Sequence, residues 1–196
     1  MFTGIVEEVG LVKKIASNQD GLEVTIEGLL VISDLKINDS ISCSGICLTV
    51  TEIEGNLFKV QLINETIDKT DAKNWKKNTL INLERALLPT SRMGGHIVQG
   101  HIDTVLKIID IKNEKDSAVW RFQLKNTIKR YIVKKGSICL DGISLTIADK
   151  TENYFSVALI PHTLNITSWN RKEIGDSINV EVDILGKYLE SLTESL

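Results

Sequence analysis

Two short segments place a small polar side chain that could take part in catalysis in the same sequence setting. Cys47 lies in CSGICLTV (43–50), and Ser144 lies in LDGISLTI (140–147). A thiolate is a nucleophile, and a hydroxyl can donate or accept a hydrogen bond, so both residues are candidates for chemistry. A single cysteine is more often a small apolar core residue, and on the sequence alone this interpretation of Cys47 stays open.

Two histidines, His96 and His101, lie in the glycine-rich stretch GGHIVQGHID (94–103). Residues five apart on a strand point to opposite faces, and no cysteine or carboxylate completes a set with zinc spacing, so we predict no metal site. The glycines either allow close backbone packing at a corner of the fold or let a ligand approach the backbone. The third histidine, His162, aligns with Glu65, and both are predicted in exposed turns.

These candidates belong to an internal repeat. From Ser40 to Glu84, sixteen residues are identical to the residue 97 positions later, without a gap, and Cys47 aligns with Ser144. The segment TGIVEEV (3–9) aligns with QGHIDTV (99–105) at an offset of 96, so one residue was gained or lost in between. Self-similarity on this scale predicts two domains of the same fold.

The matched segments have the pattern of strands. LFKVQLI (57–63) and YFSVALI (154–160) alternate apolar and polar residues, which is typical of strands with one buried face. Turn signals such as EGN punctuate these segments at close spacing. The pattern predicts an all-β protein with about six short strands per repeat, closed into two small antiparallel barrels. A linker is predicted over ALLPTSRMGG (86–95).

The C-terminal segment DILGKYLESLTESL has a different pattern. Its apolar residues recur at three- and four-residue spacing, which predicts a helix with one apolar stripe. The stripe consists of Ile184, Leu185, Tyr188, Leu189, Leu192 and Leu196. The first repeat has no equivalent, and such a helix packs either on its own barrel or on partner chains.

Composition excludes several functional classes. Hydrophobic residues make up 42% and charged residues 25% of the chain, and the net charge is −3. The scattered charges argue against a nucleic-acid or membrane partner, and no apolar run approaches the length of a membrane span. The chain has three cysteines and no signal-peptide pattern at its start, so we expect a cytoplasmic location.

Five motifs together identify a resemblance to a known family. They are MFTGIV (1–6), GICLTV (45–50), GGHIVQGHID (94–103), KGSICLDGISLTI (135–147) and IPHTL (160–164). In this order, on a 97-residue repeat, they resemble the riboflavin synthase family with tandem lumazine-binding repeats. The resemblance implies two tandem six-stranded Greek-key β-barrels, over residues 1–96 and 97–183, and a C-terminal trimerisation helix over 184–196.

The resemblance also implies a reaction. Two molecules of 6,7-dimethyl-8-(D-ribityl)lumazine would undergo dismutation, in which one gives four carbons to the other. The products would be riboflavin and 5-amino-6-(D-ribitylamino)uracil, and no cofactor would take part. The implied assembly is a homotrimer, with association with lumazine synthase as a further expected partner. The alternative is a non-catalytic fluorescent antenna protein that binds lumazine or flavin.

The family's binding residues carry over onto matching positions of both repeats. The first pocket would comprise Gly4, Ile5, Val6, Cys47, Leu48, Thr49, Gln61, Leu62, Ile63, Asn64, Glu65 and Thr66. The second would comprise Gly100, His101, Ile102, Lys135, Ser144, Leu145, Thr146, Ala158, Leu159, Ile160, Pro161, His162 and Thr163. Backbone groups and hydroxyls of these segments, expected to be strands, would bind the ligand.

Chemical roles follow from the same resemblance. His101 is the candidate for proton transfer because histidine titrates near neutral pH, and Cys47 is a candidate nucleophile or hydrogen-bond partner. Ser144 and Thr146 would orient or stabilise the reacting groups. The resemblance places the site between the N-terminal barrel of one chain and the C-terminal barrel of its neighbour, with Cys47 across from His101 and Ser144 of the other chain.

Overall fold

The computed structural model describes residues 1–19 and 21–193, and it contains two closed antiparallel barrels of six strands each. The first barrel consists of β1 (Glu8–Asn18), β2 (Gly21–Glu27), β3 (Ser40–Cys43), β4 (Ile46–Glu54), β5 (Leu57–Ile63) and β6 (Leu80–Arg85). Their order around the barrel is β1-β2-β5-β4-β3-β6, and β6 pairs with β1 to close it. This order confirms the predicted Greek-key arrangement.

The second barrel repeats this topology. It consists of β7 (Thr104–Asn113), β8 (Ala118–Gln123), β9 (Ser137–Leu140), β10 (Ile143–Lys150), β11 (Tyr154–Leu159) and β12 (Ser177–Val182). From β2 onwards each strand begins 97 residues before its counterpart, whereas β1 begins 96 residues before β7. The one-residue difference therefore falls between the first two strands of each barrel, as the sequence predicted.

Alternating residues build each core. On β5, Phe58, Val60 and Leu62 are buried while Lys59 and Gln61 face outwards. An antiparallel strand with one buried face requires this alternation. Cys43, which aligns with Leu140, is fully buried in the first core, and burial raises the pKa of its thiol.

Short helices follow the fifth strand of each barrel. These are α1 (Asn64–Lys69) and α2 (Pro161–Asn165), and each precedes a short 3₁₀ turn. We expected Asn64–Thr66 and Pro161–Thr163 to continue the strands or to form turns, and this was wrong. Proline is favourable in the first turn of a helix, where its missing N–H costs nothing, and Pro161 occupies that place in α2.

The starts of the repeats also differ from expectation. TGIVEEV and QGHIDTV were predicted as strands, but the strands begin only at Glu8 and Thr104. Before them the two segments pair with each other at a single antiparallel bridge, Phe2 to Val98. Beyond the bridge, the N–H groups of residues 3–5 and 99–101 bond to side chains. Only further along do Glu7 and Asp103 donate to backbone carbonyl groups of β6 and β12.

The two barrels touch at a pseudo-twofold axis. Gly45 and Gly142 face each other there, both with positive φ, and a Cβ on either would lie within 3.0 Å of the other's backbone nitrogen. Asn82 and Asn179 bridge the barrels around these glycines: the amide of Asn82 donates to Asp141 O, and that of Asn179 donates to Ser44 O, both at 2.9 Å. The contact needs glycine because no side chain fits.

The terminal helix α3 (Ile184–Thr193) packs on the second barrel through its polar face. Lys187 pairs with Asp103 at 2.7 Å, and Glu190 bonds to Tyr131. The apolar stripe faces away, with Leu185, Tyr188, Leu189 and Leu192 each at least 59% exposed. Leu196, also assigned to this stripe, lies outside the described residues. No helix among the described residues is long and apolar enough to span a membrane.

Candidate active site

The outward faces of β4 and β10 carry the candidate side chains. Because residues two apart on a strand share a face, Cys47 and Thr49 point away from the core while Leu48 between them is buried. Ser144 and Thr146 likewise share the outward face of β10, on either side of the half-buried Leu145. Cys47 is half-buried, whereas Cys43 and Cys139 are buried, so Cys47 has the exposure that chemistry requires.

The ends of β5 and β11 extend these faces. Val50 pairs with Val60, and Ile147 pairs with Val157, so each fifth strand ends beside the matching fourth strand. Its outward residues are exposed: Gln61, Ile63, Ala158 and Ile160. Leu62 and Leu159 were predicted to bind ligand, but their side chains are 1% exposed and point into the cores. Only their backbone could contact a ligand.

The last residues of the two predicted binding runs, 64–66 and 161–163, lie in the helices α1 and α2 that follow these strands. Glu65 and His162 are exposed at the starts of α1 and α2. Thr66 and Thr163 are half-buried, and their carbonyl groups accept hydrogen bonds from the hydroxyls of Thr70 and Thr167 at 2.6 and 2.8 Å. These bonds lie at the C-terminal ends of the two helices, at equivalent positions in the two barrels.

Lys135 lies apart from the strands in a turn before β9. Its φ is +71°, its side chain is exposed, and its N–H donates to Ile147 O at 2.9 Å. The backbone of Lys135 therefore contacts β10 at Ile147, and its side chain extends into solvent.

The two segments before β1 and β7 complete the faces, but in crossed order. The N–H of Ser144 donates to Gly4 O at 2.7 Å, and the N–H of Cys47 donates to Gly100 O at 3.0 Å. Val6 packs against the second core, and Ile102 packs against the first. Each of these two crossing segments, the first over residues 3–6 and the second over residues 99–102, therefore lies on the barrel formed by the other repeat.

This crossing corrects the predicted grouping of the pockets. We expected Gly4–Val6 to join Cys47, and Gly100–Ile102 to join Ser144. A repeat alignment shows which residues are equivalent. It cannot show on which barrel each segment packs, because exchanging the two segments across a twofold axis leaves every equivalence unchanged. The crossing also brings Gly100, the neighbour of His101, to Cys47 within one chain. The expected placement of Cys47 across from His101 and Ser144 of another chain stays a prediction.

Glycine is required at both crossing points. Gly4 and Gly100 have φ of +75° and +82°, a region that residues with a side chain rarely adopt. A Cβ on Gly4 would lie 2.7 Å from Ser144 Cβ, and one on Gly100 would lie 2.6 Å from Cys47 N. Of the two interpretations left open for the glycines, close backbone packing holds at Gly100.

His96 is a residue for which the sequence suggested no role beyond metal binding. Its Nδ1 shares a hydrogen bond of 2.6 Å with Ser144 Oγ, and burial lowers its pKa, with Asp183 opposing this effect. Its Nε2 is buried and has no hydrogen-bond partner among the described residues. A neutral imidazole next to a hydroxyl can accept its proton.

Glu84 and Glu181 were also missed as candidates. They are at the same position of β6 and β12, are almost fully buried, and accept hydrogen bonds from the two crossing segments. The sequence held one signal, because Glu84 is identical to the residue 97 positions later. It was counted only as one identity of the repeat.

A cleft of about 650 Å³ lies next to the first crossing segment. Ile5 and Gly94 line it, together with Glu84, Arg85 and Leu88 of the first barrel and the linker. Cys47 and Ser144, both half-buried, do not line it. Within residues 1–19 and 21–193 no group of three or more histidine, cysteine or acidic side chains is close enough to hold a metal ion.

Comparison with known proteins accounts for the duplicated architecture. The Lumazine binding domain family matches residues 3–86 and again 99–183. Solved structures of LumP complexed with 6,7-dimethyl-8-(1'-D-ribityl) lumazine and with riboflavin cover 93% of this chain and 99% of theirs, with TM-scores of 0.84 and 0.85. Their identities of 23% and 24% support a shared fold.

Curated relatives are more similar in sequence. Riboflavin synthase of Actinobacillus pleuropneumoniae is 43% identical over 97% of this chain and 88% of its own length. That of Schizosaccharomyces pombe is 41% identical over 100% of this chain and 95% of its own, and that of Bacillus subtilis is 38% identical over 96% and 88%. With both of its repeats matched and these identities along nearly its whole length, the chain belongs to the riboflavin synthase family of enzymes.

Proposed function

We propose that this enzyme converts two molecules of 6,7-dimethyl-8-(D-ribityl)lumazine into riboflavin and 5-amino-6-(D-ribitylamino)uracil by transfer of four carbons. The observation that carries the proposal is the pair of equivalent faces with unlike polar groups, Cys47 on one and Ser144 with His96 on the other. A reaction between two copies of one molecule needs two similar pockets, and donor and acceptor must still be treated differently.

The residues have distinct proposed roles. His96, kept neutral by burial, would accept the proton that leaves either the Ser144 hydroxyl or a ligand methyl group. Cys47 would add to the ring or hydrogen-bond to it, and His101 beside it would transfer a proton. Thr49 and Thr146 would hold the ring edges, and alignment of two rings alone can contribute a large part of the rate.

The proposal includes assembly of three chains. The stripe of α3 is exposed in one chain, and burying a leucine contributes about 1.5–3 kcal/mol, so partner chains would gain much by covering it. We propose that the site forms between the first barrel of one chain and the second barrel of its neighbour. The repeats would correspond to residues 1–96 and 97–183, and 184–196 to the trimerisation helix.

Truncation tests this assembly. Removal of residues 184–196 should give monomers in sedimentation velocity, with both barrels still folded by circular dichroism. A truncated chain that stays trimeric would show that α3 is not the main contact. The control is Lys187→Ala in the full chain, which removes the ion pair to Asp103 but leaves the stripe, and should stay trimeric.

Two further expectations belong to this proposal. The three cysteines are unpaired, which agrees with a reducing cytoplasm. Association with lumazine synthase, which would supply the substrate, is testable by co-sedimentation of the two proteins.

The activity is tested directly with the purified full chain and 6,7-dimethyl-8-(D-ribityl)lumazine. Riboflavin fluorescence should appear, with one riboflavin formed for every two lumazines consumed. The rival is an antenna protein that binds lumazine or flavin without turning it over. Tight binding of the lumazine without formation of riboflavin would favour that rival.

A further inference from the structure

Two buried carboxylates occupy the same place in the two barrels. Glu84 on β6 and Glu181 on β12 are 5% and 2% exposed, and they are identical across the 97-residue repeat. Burial raises the pKa of both carboxyl groups, and backbone N–H donors oppose that effect. A buried carboxylate is costly unless its hydrogen-bond partners compensate, so the identity of those partners indicates what each residue does.

Glu84 holds the first crossing segment. Thr3 donates to Oε1 from its N–H at 2.6 Å and from its hydroxyl at 2.7 Å, and Gly4 N donates to Oε2 at 2.9 Å. These donors lie about 80 residues away in sequence, in a segment that belongs to no strand. Glu84 thus replaces the neighbouring strand that would otherwise pair with this backbone.

Glu181 holds the second crossing segment in the same way. Gln99 N donates to Oε1 at 2.7 Å, and the N–H groups of Gly100 and His101 donate to Oε2 at 2.8 and 3.1 Å. All three donors are main-chain groups, so a change of side chain at Gln99 would not remove them. The clamp therefore depends on Glu181 itself.

One glycine residue connects each carboxylate to the opposite barrel. Gly4 donates its N–H to Glu84, and its C=O accepts the N–H of Ser144 at 2.7 Å. Gly100 donates to Glu181, and its C=O accepts the N–H of Cys47 at 3.0 Å. A carboxylate of one barrel is therefore two hydrogen bonds away from the candidate catalytic residue of the other.

Only an ionised carboxylate suits this arrangement. Its two oxygens accept three donors, whereas a glutamine offers one oxygen and turns an NH₂ group towards N–H groups. Leaving a buried N–H unpaired costs more than the bond itself contributes. We propose that Glu84 and Glu181 are positioning residues, each of which sets the ligand pocket of the barrel to which it does not belong; this deepens the proposed function and rests on it.

The first experiment needs no ligand. In the full chain, Glu84→Gln should speed amide hydrogen exchange at Thr3 and Gly4 by about tenfold, since a hydrogen bond to a charged group contributes at least that factor. Residues 99–101 should stay protected in Glu84→Gln and lose protection in Glu181→Gln. Glu54→Gln, at the exposed end of β4, is the matched control and should change neither segment.

The second experiment separates the pockets. Thr49→Trp fills the first face and Thr146→Trp the second, and both threonines are exposed beside the candidate residues. With Thr49→Trp, only the second pocket can bind 6,7-dimethyl-8-(D-ribityl)lumazine, and added Glu84→Gln should weaken binding by about tenfold. With Thr146→Trp, added Glu84→Gln should leave binding by the first pocket unchanged, and Glu181→Gln should show the reverse pattern.

General destabilisation would give a different result. If Glu84→Gln weakens the first pocket as much as the second, the proposal is overturned. Unchanged exchange in both glutamine variants would also overturn it, and that readout holds even if the chain fails to bind lumazine and the proposed function is wrong. Should Glu84→Gln fail to fold, Thr3→Val removes one of its three donors and should release the same segment in a milder form.

Discussion

The pockets on the two barrels share a backbone and differ in chemistry. On the first barrel Cys47 meets Gly100, and on the second Ser144 meets Gly4 at the equivalent place. The second has in addition the imidazole of His96, which directly follows the linker and bonds to Ser144 Oγ. The two pockets therefore share a frame, while the difference between Cys47 and Ser144 and the presence of His96 make their chemistry unequal.

The backbone contacts that the two pockets share, Gly100 with Cys47 and Gly4 with Ser144, should tolerate substitution least. Gly100→Val should abolish activity and lower the free energy of unfolding by about 3 kcal/mol, because it adds both overpacking and backbone strain. Gly55 has positive φ with open space around it, so Gly55→Val should cost only the strain, about 1–2 kcal/mol, and keep activity. Urea unfolding and riboflavin formation measure the two effects, and equal losses in both variants would refute the steric account of the crossing.

The unlike side chains should matter for turnover more than for binding. We expect Cys47→Ser, which makes the two faces more alike, to lower turnover about 100-fold while lumazine binding changes much less. The measurement is kcat beside a Kd from fluorescence titration. If turnover stays at the wild-type level and only stability falls, Cys47 is a packing residue without a role in the reaction.

The imidazole specific to the second pocket should have a smaller effect. His96→Gln keeps a hydrogen-bond partner for Ser144 but removes the base, and loss of general base catalysis at one step should slow turnover by at least about 100-fold if His96 alone moves the proton. Because His101 can take over part of that task, we expect about tenfold instead. A double variant, His96→Gln with His101→Gln, should lose more than the sum of the free-energy effects of the single changes, and strictly additive losses would contradict shared proton transfer.

The smallest expected effect concerns stability and pH. Burial lowers the pKa of His96 from 6.5, so its contribution to stability is present above about pH 6.5 and is lost as the pH falls through the lower folded pKa. Wild type should therefore lose stability relative to His96→Gln as the pH falls below about 6.5. The raised pKa values of Glu84 and Glu181 make the folded protein more stable as the pH falls, but wild type and His96→Gln share this effect, so it cancels in the comparison. A pH-independent difference in urea midpoints would show that His96 titrates as an exposed histidine.

The sequence predicted the parts of this comparison that depend on local pattern. Alternation in LFKVQLI gave the strand of Phe58, Val60 and Leu62, and the 97-residue repeat placed Cys47 opposite Ser144. The crossing of the segments was not predictable, because exchange across a twofold axis leaves every repeat equivalence intact. The link from His96 to Ser144 spans 48 residues and depends on that crossing, so no local pattern could reveal it.

Glu84 illustrates the other limit of sequence reasoning. Glu84 lies in the polar phase of β6, which alternates with the core residues Ile81 and Leu83, so the alternation predicts an exposed side chain rather than a buried one. Only the repeat marked it, by placing Glu181 at the equivalent position. The partners themselves are backbone N–H groups, which every sequence has, and only the structure shows which ones are used.

The central claim is that an intact first pocket and an intact second pocket on neighbouring chains make one site. It is tested most directly by mixing Thr49→Trp chains, whose first pocket is filled, with Thr146→Trp chains, whose second pocket is filled. Each variant alone should form no riboflavin, whereas refolded or co-expressed mixed trimers should recover activity, because some neighbours then pair two open pockets. Mixed trimers, verified by native mass spectrometry, that form no riboflavin would contradict the claim.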